Sequence, residues 1–203
     1  MPTPLEDHVR AVLLERDRGK KIFEAISGGW SDFKESYPES ASWLRKSAAR
    51  NVFCEVVWKR LKLIAVEDAG FKVIEHRDTL SFLIEDEVLL RLKHADTALV
   101  TQNVPTVEAQ EYDDHERDLF GYSDIQRVRL CYVLDQYETE VIWAGIAAHN
   151  KGRLLWKIEL SGGGAEVAVP DLLDDLPDAP NNKSLIRPKR SGQEDTAKGE
   201  DAG

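Results

Sequence analysis

Apolar positions near the start of the chain recur at helical spacing: Leu5, Val9, Val12, Leu13, Phe23 and Ile26. Residues three and four apart share one face of a helix, so this stripe predicts a first helix with one face in a core. Thr3, Pro4 and Glu6 form a capping-box start, because a hydroxyl and a carboxylate at that spacing satisfy the orphan N–H groups of a first turn. Gly28-Gly29 is the expected break at its end. A polar connector then reaches Tyr37-Pro38, and a second, longer helix is expected to begin around 36–40, where proline is still tolerated. Leu44, Ala48, Val52, Val56, Leu61 and Ile64 mark its stripe, Phe53 and Val57 widen it, and Gly70 sits where a terminating glycine belongs.

From Phe71 the period changes to two, the signature of strands with one buried face. Phe71 and Val73, then Leu80, Phe82 and Ile84, then Val88, Leu90 and Leu92 alternate with less apolar neighbours. Arg77-Asp78-Thr79 and Glu85-Asp86-Glu87 have the length of hairpin turns, without the Asn-Gly or Asp-Gly pair that favours them most. The pattern is lost across 94–126 and no element is assigned there, although the length suits a crossing segment or a functional loop. It resumes with Val128 to Leu134, Val141 to Ala148 and Leu154 to Leu160, the last two joined by His149-Asn150-Lys151-Gly152, whose Asn and Gly tolerate positive φ.

These elements predict an α+β fold: two N-terminal helices packed on an antiparallel sheet of about five to six strands. The single domain is expected over residues 1–160. Ser161-Gly162-Gly163-Gly164 then opens a polar segment, read as a flexible acidic tail over 161–203. Within it, 169–177 sets Leu172, Leu173 and Leu176 among three aspartates between two prolines, the composition of a docking segment.

Composition narrows the class. With 42% hydrophobic residues and five Trp, the chain can bury a core without disulfide or metal staples. Cys54 and Cys131 lie far apart inside apolar runs, as small buried residues with free thiols do. No apolar stretch approaches the ~20 residues that cross a bilayer, and the first residues lack the basic start and apolar run of a signal peptide, so a cytoplasmic protein is expected. The 37 acidic against 27 basic residues give a net charge of −10, which disfavours generic nucleic-acid binding. An acidic imitation of DNA is the converse reading, resting on that charge alone.

Few residues carry a chemical signature. Glu111, Asp113, Asp114, His115, Glu116 and Asp118 are the densest ionisable cluster. They supply the oxygen and imidazole groups that hold a divalent cation, with Asp113, Asp114 and His115 as the metal candidates of a nuclease or hydrolase-type toxin. The cluster has neither EF-hand nor His-Glu-x-x-His spacing, and a solvated acidic loop accounts for it without a metal. Asp86 with Arg91-Leu92-Lys93 fails the acid…acid-x-Lys spacing of restriction-type nucleases, and Lys157-Ile158-Glu159 reverses its order. Ser123 and Ser161 lie in no nucleophile elbow, the five histidines are scattered, and no phosphate-cradling glycine loop exists. The reading that follows is a protein without cofactor and without an evident catalytic site.

Strand parity points elsewhere. If Leu90, Leu92, Leu130, Tyr132, Trp156 and Ile158 face the core, then Arg91, Lys93, Arg129, Arg153 and Lys157 face outward and make that sheet face basic. In a chain of net charge −10, such a face suits an acidic partner or the chain's own Asp171–Asp175 stretch.

The closing strands, Leu-Cys-Tyr-Val-Leu-Asp-Gln, Val-Ile-Trp-Ala-Gly-Ile-Ala and Leu-Leu-Trp-Lys-Ile-Glu-Leu, together with the rest of 71–160, resemble a poorly characterised family of small bacterial α+β proteins of mobile elements. These are often encoded beside an ImmA/IrrE-type metallopeptidase with a helix-turn-helix domain. The resemblance implies a context, one half of a toxin-antitoxin-like or phage-defence pair, and carries over no functional residue. The expectation is therefore a non-catalytic protein-interaction component whose partner is another protein, met through the basic sheet face or through Leu172, Leu173 and Leu176.

Overall fold

The computed structural model describes residues 4–76, 79–101, 112, 115 and 125–163, the side chains of Ala41 and His76 excepted. Thr3, Arg77-Asp78, the acids Glu111, Asp113, Asp114, Glu116 and Asp118, Ser123, and the tail with its 169–177 segment lie outside them. Helices come first: α1 (Glu6–Leu14), α2 (Arg18–Ser36), the single turn α3 (Ser40–Trp43) and α4 (Lys46–Glu67). Six strands follow: β1 (Phe71–His76), β2 (Thr79–Ile84), β3 (Val88–Ala95), β4 (Gln126–Leu134), β5 (Val141–Asn150) and β6 (Arg153–Glu159). They form one sheet in sequence order, with the helices packed on one face.

The expected first helix is two. Arg16 and Asp17 adopt left-handed φ of 53° and 55°, and the chain turns there between α1 and α2. Left-handed backbone at a non-glycine residue costs of order 1 kcal/mol. Here the turn is held from outside, since Arg16 Nη1 donates to Asp68 at 2.6 Å and Arg18 Nε donates to the same carboxylate at 2.7 Å. Arg18 is wholly buried, and its other guanidinium nitrogens reach the Val12 carbonyl, Glu15 and Glu85. One cation thus ties the α1–α2 turn to the end of α4 and to the β2–β3 hairpin.

Gly28-Gly29 does not end a helix; α2 runs through it. A Cβ on Gly29 would lie 3.2 Å from Val57 Cγ2, and one on Gly28 would lie 2.6 Å from the Arg60 guanidinium. The pair lets α2 and α4 approach closely, a use of glycine that a single helix pattern does not distinguish from a break. The long second helix starts at Lys46, after extended backbone at Leu44 and Arg45, instead of at 36–40. Its buried line is Phe53, Val57, Leu61 and Ile64, all within the expected stripe and its widening, while Ala48, Val52 and Val56 are only half-buried. Leu63 and Val66 stay exposed at 58% and 84%, so α4 carries apolar residues on several faces and its periodicity alone leaves the core face open.

The sheet is antiparallel except at its centre, where β3 pairs parallel with β4. Parallel neighbours need a long crossover, and the unassigned stretch between Ala95 and Gln126 is that connection. It places Leu99, Tyr112 and His115 against the sheet face opposite the helices. Leu99 packs with Ala95, Cys131, Val133, Trp143 and Ala147, while Tyr112 packs with Leu83 and Leu89. The Tyr112 hydroxyl lies 2.8 Å from the Leu89 carbonyl and 2.7 Å from that of Val128, bridging the parallel pair. Central strands are therefore buried on both faces.

Tight turns carry the hairpins. Glu85 and Asp86 both have left-handed φ, 51° and 59°, with Glu85 paired to Arg18 and Asp86 to Lys72. Lys151 and Gly152 do the same between β5 and β6, Gly152 at φ 81°.

Candidate functional site

Along α4, residues three and four apart share a face, and Ser47, Arg50, Asn51, Cys54, Trp58 and Lys62 fall beside the buried stripe. This flank, away from α2, is not roofed by another described helix. Where it meets the carboxyl ends of β3 and β4 it walls a cleft of about 450 Å³, floored by Leu92, His94 and Tyr132. Glu55 and Trp58 continue the cleft into a second hollow of about 640 Å³ between α4 and the β1–β2 hairpin, with Lys62, Leu63, Glu75 and Leu80 in its walls. Lys62 Nζ reaches Glu75 at 2.8 Å across that hollow. Together they form one groove beside α4 from Ser47 to Leu63, about 25 Å at 1.5 Å per residue.

Parallel pairing sets the floor. It puts His94 opposite Tyr132, their rings edge to face at 5.3 Å. Tyr132 also packs edge-on against Phe53, and its hydroxyl lies 3.5 Å from Cys54 Sγ. Burial pushes the Cys54 thiol up, more than its contact with the Tyr132 hydroxyl lowers it. Burial likewise raises the Tyr132 phenol and lowers the His94 imidazole, the latter helped by the nearby Arg50 charge. At neutral pH thiol, phenol and imidazole are all uncharged, and a protonated thiol is a poor nucleophile. The cleft is built for hydrogen bonding and contact. Trp58 Nε1 and Arg50 Nε are buried and have no hydrogen-bond partner among the described residues.

Arg50 is the wall between this groove and a smaller cavity. Arg50 Nη2 donates to Glu138 at 2.6 Å and Lys46 approaches the same carboxylate at 3.2 Å. Burial raises the Glu138 carboxyl, but those two cations outweigh it and hold it below the usual range. Glu138 sits in the β4–β5 turn, which Asp135 orders by accepting from the backbone N–H groups of Tyr137, Thr139 and Glu140. Behind it lies a cavity of about 190 Å³ lined by Trp30, Phe33, Leu44, Ala49, Leu134 and Tyr137. Lys34 lies over the Trp30 ring, 5.8 Å from its centroid.

The residues singled out from sequence fall elsewhere. Leu90, Leu92, Leu130, Tyr132 and Ile158 belong to the helix-side core and Trp156 packs against it, as parity required. Part of the opposite face is covered, since Leu99, Tyr112 and His115 lie against it. Arg91 is only 8% exposed, its guanidinium 4.3 Å from the Tyr112 ring centroid and its Nε 3.4 Å from Ser81 Oγ. Arg129 is half-buried and donates to Thr101 Oγ1 at 2.6 Å. Lys93 and Lys157 are half-buried, and Arg153 is exposed. His115 is buried and its Nε2 donates to the His149 carbonyl at 2.8 Å. Asp113 and Asp114 lie outside the described residues, as do Leu172, Leu173 and Leu176. Among the described residues no cluster of three His, Cys, Asp or Glu side chains is placed to hold a metal ion. No described helix is long and apolar enough to cross a membrane.

No local spacing joins Arg50, Trp58, His94 and Tyr137 in the sequence, since Arg50 and Glu138 are 88 residues apart and only the fold brings them together. Searches against known protein families, curated proteins and solved structures find no match to this chain.

Proposed function

We propose that this chain is a non-catalytic protein-interaction component that receives a segment of a partner protein in the groove beside α4. The two-gene toxin-antitoxin-like or phage-defence arrangement implied by the closing strands makes the product of a neighbouring gene the first partner to test. The observation that carries the reading is the groove itself, mixed polar and apolar over about 25 Å, with Arg50, Cys54, Trp58, His94 and Leu63 along its walls. A groove of that length and mixed lining suits an extended or helical segment of a partner, which buries apolar side chains in it and pairs polar groups along its rim. The uncharged Cys54, Tyr132 and His94 supply contact surface to such a segment.

Tagged full-length protein purified from its host, with the co-purifying partner then rebound in purified form, tests this. Trp58→Ala and Leu63→Asp should each weaken the partner at least tenfold, as central interface residues do. Val100→Ser, at an exposed apolar position outside the groove, should leave affinity unchanged. A partner held equally by all four proteins, or no stoichiometric partner, would overturn the proposal.

A further inference from the structure

The cavity behind Arg50 is separate from the groove floor, and its size and lining are specific. About 190 Å³ is somewhat more than the ~150 Å³ apolar cavity that accommodates benzene, and its walls include Trp30, Phe33 and Leu134. Around its mouth lie Lys34, Lys46 and Arg50 against one lining carboxylate, Glu138, which two of those cations already engage. In a chain of net charge −10 this is a local reversal of sign. A third observation concerns the surface around it. The three aromatic side chains that are large and exposed among the described residues all belong to this neighbourhood: Tyr37 at 38%, Trp43 at 62% and Tyr137 at 73%. Tyr137 lines the cavity, the Tyr37 ring packs at a tilt against its wall residue Phe33, 5.8 Å between centroids, and Trp43 precedes its wall residue Leu44. Exposed aromatic residues beside a preformed apolar hollow are the usual anchors of protein recognition.

We propose that this cavity is the anchor pocket for one aromatic side chain of the partner, presented on an acidic stretch of its chain. The assignment rests on the interaction reading above and adds the chemistry of the partner. The ring enters between Trp30, Phe33 and Leu134, where edge-to-face packing is available on several sides. Carboxylates on either side of it meet Lys34 and Lys46 at the rim, which favours encounter with acidic segments over basic ones.

The test uses the full chain, ¹⁵N-labelled, titrated with three acetylated and amidated peptides: Asp-Glu-Phe-Glu-Asp, its Phe→Ala form, and Lys-Lys-Phe-Lys-Lys. The Trp30 indole N–H is the reporter, since it donates to Thr139 O at 3.1 Å at the edge of the cavity. The acidic Phe peptide should move that resonance and the Leu44 and Ala49 amides saturably. The Ala form should bind at least tenfold more weakly, and the lysine form at least fivefold. Tyr137→Ser, at a largely exposed site, should weaken the acidic Phe peptide several-fold while the thermal midpoint stays within error. Equal response to the Phe and Ala peptides, tighter binding of the lysine peptide, or no saturable shift would overturn the assignment. The two readings fail separately. A partner lost on Trp58→Ala but indifferent to Tyr137→Ser sinks the anchor pocket alone, whereas peptide binding without any cellular partner sinks the interaction reading and with it the partner's role, leaving only the cavity's preference for an acidic aromatic segment.

Discussion

Replacing Asp68 by Asn keeps the shape of the buried cluster beneath the α1–α2 turn and removes its central negative charge. Asp68 and Arg18 are 2% and 0% exposed, and Asp68 also accepts from Arg16 at 2.6 Å and from the Gly70 amide at 3.0 Å. Breaking a buried pair by removing one partner costs about 3–5 kcal/mol, because the other charge stays buried. Glu85 continues to neutralise Arg18 from a one-third exposed position, so the lower end, about 3 kcal/mol, is expected at pH 7. The Arg18 hydrogen bonds hold the Asp68 carboxyl at about 2 against the ordinary 3.8, the Gly70 amide and Arg16 assisting and burial opposing. A depression near two pH units corresponds to roughly 2 kcal/mol of stability linked to deprotonation. The folded value is depressed, so this contribution is complete above the unfolded value near 4 and is lost as pH falls toward 2. Urea denaturation of wild type and Asp68→Asn between pH 7 and pH 2 should therefore show a gap of about 3 kcal/mol that narrows below pH 4. A gap under 1 kcal/mol at pH 7, or one unchanged down to pH 2, would refute the clamp. An Arg18→Met/Asp68→Leu double variant should recover most of the loss, since apolar groups of similar volume replace buried ion pairs at little cost.

Tyr112→Phe removes a hydroxyl shared by the Leu89 and Val128 carbonyls and should cost about 1 kcal/mol in urea unfolding. Gly145→Ala would put a methyl 2.5 Å from the Trp143 ring and against the Ile158 carbonyl, overpacking the β5–β6 pair by about 2 kcal/mol, a loss a thermal melt will register. Cys131 is wholly buried, and burial pushes its thiol up to about 12. Iodoacetamide at pH 8 should therefore leave it unlabelled by mass spectrometry until denaturant is added, whereas rapid labelling of native protein would contradict its placement.

Helices and strands were legible wherever one residue type has one structural use. The alternation from Val128 to Leu160 gave three strands, and the expected His149–Gly152 turn is there but shorter, with β5 running through Asn150 and Lys151, not Asn150, taking positive φ beside Gly152. Glycine and the apolar excess on α4 were ambiguous. Gly28-Gly29 reads as a stop in one dimension and is a close helix contact in three. In the expected basic face, Arg91 is buried while Arg153 stays exposed, for a different reason. Parity correctly turned Arg91 away from the helices, but Tyr112, 21 residues further along and in no periodic pattern, lies over it there.

The sequence by itself determined the class of fold, the order of helices before strands and the core-facing positions of β3, β4 and β6, since these follow from local spacing and the cost of exposing apolar surface. Tertiary structure alone decided the parallel pairing of β3 with β4, and with it the position of His94 beside Tyr132. It also decided the burial of Arg18 and the meeting of Arg50 with Glu138. Each of these joins residues tens of positions apart, and no local pattern records which distant groups will share a desolvated space.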